Sequence, residues 1–188
     1  GYRKLAESWR TFRDQGVDPF KVALDHTHDI GMEFHAGYRV TGFHYPPPLD
    51  YFNYGPSFYK SHPELRAIAK DGSAAPRVSY AYPELRKFVI SILREIAGYD
   101  VDGISLLFNR RPPFMDYEQP LVDGFIAEYG EDPRQLDDTD ARWLSYRGRT
   151  MTQFMCEVRQ AMDDEAQKQS RRKIEVSAIV SGIPEENA

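Results

Sequence analysis

The sequence predicts an α/β domain that forms part of a (β/α)8 barrel, the TIM-barrel architecture. Three observations point there. Extended apolar runs alternate with amphipathic runs of helical period in the order βαβαβ, which implies parallel strands joined by right-handed crossovers. Each candidate strand has one apolar face and one mixed face, whereas a doubly wound sheet, covered on both sides by helices, needs two apolar faces. A barrel interior tolerates polar groups near its mouth. Finally, the 188 residues hold three or four such strands, while a closed barrel takes about 250 residues. The chain is therefore expected to be one domain, residues 1–188, that is a fragment of a barrel.

The elements follow in order. Residues 1–15, "GYRKLAESWRTFRDQ", are amphipathic and charged, with no secretory leader visible. A helix is expected over about 18–30, with Phe20, Val22, Ala23 and Ile30 apolar and Gly31 as its stop. "GMEFHAGY", 31–38, reads as a strand in which Met32, Phe34 and Ala36 oppose Glu33, His35 and Gly37. Residues 38–59 are rich in aromatics and proline and show neither period; they form either a loop packed by its own rings or a sugar-stacking lid. "HPELRAIAK", 62–70, allows a turn or two of helix, and "RVSYAY", 77–82, is extended. Residues 83–97 give the clearest helix: Leu85, Phe88, Val89, Ile92, Leu93 and Ile96 share a face, Pro83 suits the first turn and Gly98 the stop. "VDGISLLF", 101–108, sets Ile104, Leu106 and Phe108 against Ser105, Leu107 and Asn109. Helices over 118–129 and 140–168 follow, the second with Leu144, Met151, Phe154, Met155, Val158 and Met162 in its stripe and "DDEAQKQSRRK" as its solvated end. "KIEVSAIVSG", 173–182, sets Ile174, Val176, Ala178 and Val180 against Glu175, Ser177, Ile179 and Ser181.

Composition bounds the function. Apolar residues at 41% and charged residues at 28% describe a globular chain. A net charge of −5 argues against nucleic acid as partner, and no apolar run approaches the roughly 20 residues that span a bilayer. The single Cys156 excludes an internal disulfide and a cysteine-rich metal site, and is expected on a buried helix face. In "DHTHD", 25–29, His26 and His28 are two apart, so on a helix they point away from each other and do not form a metal pair. With no glycine-rich phosphate loop, GxSxG elbow or zinc spacing, no metal and no cofactor is expected. The compartment stays open. Free sheet edges in such a fragment are expected to drive self-association.

"GMEFHAGYR" with its following loop, "HPELRAIAKDGS", "VSYAYPELRKFVISILREIAGYDVDGI" and "SAIVSGIPEEN" together resemble the glycosyl-hydrolase-like family-10 proteins, from about residue 16 onward. The most specific piece is 80–104, and "PEEN" at 184–187 resembles the family's next loop, cut short. The resemblance implies a barrel and a carbohydrate ligand. It also implies an acid on the strand after "DGI", commonly an Asp; here the matching positions hold Ser105 and Leu107. Glycoside cleavage generally needs two carboxyl groups, about 5–5.5 Å apart for retention and roughly 6.5–9.5 Å for inversion. Leu107 can supply neither proton nor nucleophile.

The candidate substrate-binding residues are His35, Arg39, Tyr80, Asn109 and Arg110. His35 and Arg39 share the mixed face of their strand, where His35 is placed near the strand end. Arginine suits carboxylate or sugar oxygens. Tyr80 offers a ring to a pyranose, or covers the sheet end. Asn109 and Arg110 end an apolar strand with polar groups; the alternative is that they tie down the Arg-Arg-Pro-Pro loop, and Arg111 is expected in solvent. The catalytic residues stay unknown: Asp50, Asp116, Glu118, Glu185 and Glu186 are the loop acids able to reach the mouth. Glu175 is expected in an ion pair. Three readings stay open: a glycoside hydrolase, a carbohydrate-binding barrel that has lost its acid, and an open α/β interaction domain.

Overall fold

The computed structural model describes residues 2–40, 58–109 and 113–181. Helix α1 (Tyr2–Asp14) leads by a short turn into α2 (Pro19–Asp29). Asp18 caps α2, accepting from the Phe20 N–H at 2.9 Å and the Lys21 N–H at 3.3 Å, and Pro19 occupies the first turn, where its missing N–H costs nothing. Gly31 ends the helix with φ near +77°, a backbone that other residues rarely adopt.

Three parallel strands follow: β1 (His35–Arg39), β4 (Gly103–Leu107) and β5 (Glu175–Ile179), in the spatial order β1-β4-β5. Between β1 and β4 in the chain lie a four-residue helix α3 (Phe58–Ser61), a 3-10 turn (Pro63–Leu65), β2 (Arg66–Ile68), β3 (Ala74–Val78) and α4 (Pro83–Ala97). Helices α5 (Gln119–Tyr129) and α6 (Ala141–Lys168) separate β4 from β5. Strands β2 and β3 form their own antiparallel hairpin. The helix allowed over 62–70 is thus one 3-10 turn and a strand, and of the extended piece at 77–82 only Arg77 and Val78 are strand, in this hairpin rather than in the parallel sheet.

The apolar face is covered as its parity requires. Ala36, Ile104, Leu106, Phe108 and Ile174 are buried, packed with Leu85, Val89, Leu93 and Ala97 of α4 and Phe154, Val158 and Met162 of α6. Toward the end of β5 the cover runs out among the described residues, and Ala178 and Val180 are exposed. Helices α4 and α6 are also joined by two charged rungs. Buried Arg86 donates to Glu157 at 3.0 Å and to the Tyr80 carbonyl at 2.9 Å; Arg94 donates to Asp164 at 2.9 Å and Glu165 at 2.7 Å. Cys156 is exposed, which corrects the expectation of a buried thiol. It lies two residues from both buried Phe154 and buried Val158, and a two-residue step on a helix turns to the opposite side. The end of α6 is less solvated than its charges suggest: Arg171 donates to the Ala97 and Tyr99 carbonyls at 3.2 and 3.0 Å.

Candidate functional site

Among the described residues, nothing covers the face of the parallel sheet opposite these helices. Register stacks its side chains in three rows, His35–Gly103–Glu175, Gly37–Ser105–Ser177 and Arg39–Leu107–Ile179. His35, Gly37, Arg39, Glu175, Ser177 and Ile179 are exposed, with Ser105 and Leu107 half-buried. The Ser105 and Ser177 hydroxyls hydrogen-bond at 2.8 Å. The middle row is therefore small and polar, and the row at the carboxyl ends pairs one guanidinium with two aliphatic side chains.

At those carboxyl ends the ladder continues one residue further, with Val40 N–H donating to the Leu107 carbonyl at 3.4 Å and Phe108 N–H to the Ile179 carbonyl at 2.8 Å. Arg39 and Asn109 are exposed here. Arg39 makes no ion pair among the described residues. Arg110, Asp50, Glu185 and Glu186 lie outside the described residues.

Two of the predicted residues are placed elsewhere. His35 is the first residue of β1, at its amino end, and four residues of strand separate it from Arg39 by about 13 Å. Its placement near the strand end is corrected. The ladder begins later than the pattern suggests because the Phe34 N–H donates to the Asp102 carboxylate at 2.6 Å. The His35 ring lies across Gly103: a β-carbon on that glycine would stand 2.5 Å from His35 Nδ1. Tyr80 is buried at 3% exposure and presents no face to a ligand. Its hydroxyl donates to the Val40 carbonyl at 2.7 Å and its ring packs on Phe154, so it fixes the carboxyl end of β1. Burial pushes this phenol well above the ordinary tyrosine range.

The β2–β3 hairpin belongs to the crossover after β1 and docks on the loop that follows β4, on the carboxyl side of the sheet. Tyr117 N–H donates to the Ile68 carbonyl at 2.8 Å and Tyr80 N–H to that of Phe114 at 3.1 Å. Asp116 pairs with Arg77, and Arg147 donates to the Met115 carbonyl at 3.3 Å. Burial raises the Asp116 carboxyl above its ordinary range despite the two guanidinium groups. Glu118 is fully buried. Sequence reading placed both acids as candidates for the mouth; the structure gives them to the seat of the hairpin. No local signal marks Glu118 for this place: it is the N-cap of α5 but makes no side-chain bond to that helix, and its partners are brought in from the Asp116 backbone and from β2.

At the opposite, amino end, Asp102 joins four segments. It accepts from Phe34 N–H at 2.6 Å and His28 Nε2 at 2.9 Å, and pairs with Arg172, while Glu175 N–H donates to its carbonyl at 2.9 Å. His28 is thus tied to a carboxylate. Glu175 forms no ion pair among the described residues, against the expectation for it. No group of three or more histidine, cysteine or acidic side chains among the described residues is arranged to hold a metal ion.

Parallel strands in chain order, with helices on one face and a polar face opposite them, define an α/β domain. The chain belongs to the family Glycosyl hydrolase-like 10, which it matches over residues 4–179. An S-layer-related protein of Niallia circulans is 30% identical over 135 residues, spanning 62% of this chain and 8% of that protein. The structure of α-L-fucosidase isoenzyme 2 from Paenibacillus thiaminolyticus superimposes with a TM-score of 0.55 at 16% identity, over 85% of this chain and 22% of that one. That likeness is one of fold. The chain spans a small part of the length of both proteins.

Proposed function

We propose that this chain is a section of a (β/α)8 barrel that binds a polysaccharide or oligosaccharide over the carboxyl ends of β1, β4 and β5. The observation that carries the reading is the open face. Its central row of Gly37, Ser105 and Ser177 suits a polar interior and leaves little for a second helical layer to bury. In this reading Arg39 and Asn109 meet sugar oxygens, and Arg110, the next residue in the chain, is proposed to do so as well. His35 lines the floor at the amino end, and Tyr80 holds the strand that carries Arg39. Cleavage, where it occurs, is acid/base hydrolysis by two carboxyl groups supplied from loops. β1 and β5, the outer strands of the sheet among the described residues, are proposed to pair with another copy of this chain, which light scattering would show as a concentration-dependent mass.

A second reading is favoured by Leu107: a carbohydrate-binding barrel without hydrolysis. Leu107 stands half-buried in the Arg39 row, where a carboxylate would face the ligand. The test is incubation of the protein with a panel of polysaccharides, scoring binding and released reducing ends together. Release supports the hydrolase, and binding without release supports the binding barrel. Silence on both returns the chain to an interaction domain. In a protein that binds without cleaving, Leu107→Asp is expected to produce release; no change in any readout counts against the lost-acid reading.

A further inference from the structure

Glu118 is the most deeply buried carboxylate among the described residues, with no exposed surface. The other two buried carboxylates hold arginines: Asp102 pairs with Arg172 and Glu165 with Arg94. Glu118 has no ion pair among the described residues. It is met by neutral donors: the Asp116 N–H at 3.0 and 2.9 Å from its two oxygens, the Ile68 N–H at 3.4 Å, and the Ser79 hydroxyl. These donors come from the loop after β4, from β2 and from the segment joining β3 to α4. One carboxyl group thus seats the hairpin.

We propose that Glu118 is a proton-operated latch for the β2–β3 hairpin, seating it firmly with a neutral carboxyl and loosening it with an ionised one. A neutral carboxyl keeps its backbone bonds, one oxygen accepting the N–H groups while its O–H turns toward Ser79 Oγ, and leaves no charge to be solvated. An ionised one keeps a charge away from water with no counter-charge in contact. The charged surroundings do not reverse this. Asp116, whose charge acts on Glu118, is of like sign, and the Arg77 and Arg147 guanidiniums near Asp116 are directed to it and to the Met115 carbonyl. Tyr82 faces Glu118 as a neutral phenol, and beyond it Lys70 and Tyr117 are both directed to Asp138.

Burial outweighs the hydrogen bonds and holds the Glu118 carboxyl above the ordinary glutamate range. A carboxyl raised by folding favours the folded arrangement when protonated. That contribution is complete below the unfolded value and is lost as pH climbs through the folded one. The latch therefore tightens in acid and slackens toward neutrality, and Asp116, also raised by burial, works in the same direction. It acts on the carboxyl side of the sheet and rests on the hairpin's own contacts, independent of any ligand.

Amide hydrogen exchange at about pH 5 and about pH 8, normalised for intrinsic rates, tests it. The Ile68 and Tyr117 amides are the reporters, and the β4 amides of Ile104 and Leu106 the reference. The reporters are expected to be several-fold better protected in acid, with the reference unchanged. Glu118→Gln is expected to remove most of that difference, leaving the share carried by Asp116. Equal protection at both pH values in the native chain, or a difference that is undiminished in Glu118→Gln, overturns the latch. If the variant does not fold, carboxyl NMR titration of Glu118 in the native chain decides: a midpoint above the ordinary range supports the proposal, and one within or below it overturns it.

Discussion

Asp102→Ala is expected to destabilise the domain by about 2–4 kcal/mol, and the figure can be built from its partners. The carboxylate is buried at 7% exposure and accepts the Phe34 N–H at 2.6 Å. Alanine leaves that backbone donor without its acceptor, which costs about 1–3 kcal/mol for a buried group. His28 and Arg172 are 31% and 63% exposed. Both recover water, so their losses are discounted to about 0.5 kcal/mol each. Asp102→Asn keeps an acceptor for Phe34 but turns a like-signed dipole toward Arg172, and is expected to cost roughly half as much. Urea unfolding of the chain measures both, read as a lower midpoint at unchanged slope. A loss below about 0.5 kcal/mol for Asp102→Ala would refute the idea that this carboxylate joins the strand starts. A His28→Ala cycle that shows no coupling to Asp102 would remove α2 from the joint.

Three further outcomes follow from the same geometry. Tyr80→Phe removes the bond to the Val40 carbonyl and is expected to cost about 1 kcal/mol, with faster exchange of the Val40 amide, both measurable in one unfolding and exchange series. Gly103→Ala sets a methyl against the His35 ring and the Glu175 carbonyl, at 2.5 and 3.1 Å, and is expected to cost about 1–3 kcal/mol; adding His35→Ala should recover part but not all of it, since the carbonyl stays. Arg86→Ala strips donors from the Tyr80 carbonyl and Glu157 and is expected to lower stability by about 3 kcal/mol, more than Glu157→Ala, whose carboxylate is 32% exposed. Equal losses in that last pair would show that the salt bridge, not the buried fork, carries the energy.

What could be read in the chain divides by the range of the interaction that decides it. Helix α4 runs from Pro83 to Ala97, as its apolar period and its Pro and Gly boundaries indicate, because every one of those signals is local. Strand parity is equally legible: a period of two assigns Ala36, Ile104 and Leu106 to the core whatever partner they find. The start of β1 is not local. It is fixed by a bond to Asp102, 68 residues away, and with it His35 passes from the candidate site to the opposite end of the sheet. The hairpin is hidden for a similar reason. Leu65 and Ala67 are buried with the alternation of a strand, yet Pro, Glu, Leu and Ala around them favour a helical turn, and the register comes from pairing with Ala74 and Val78.

The candidate site shows the same division. Asn109 and Arg39 are legible as polar ends of apolar strands, but what surrounds them is set by crossovers that meet only in three dimensions. Physical chemistry still narrows the choice of cover for the open face. A helix laid on Gly37, Ser105, Ser177 and Gly103 would find no side-chain volume to interlock with, and would strand the Ser105–Ser177 pair, His35 and Glu175 away from water. An interior that admits water or a polyhydroxylated ligand leaves all four solvated or bonded. The polar row thus agrees with the proposed ligand-facing sheet on grounds separate from family membership, and under that proposal Leu107→Asp is the substitution that separates binding from cleavage.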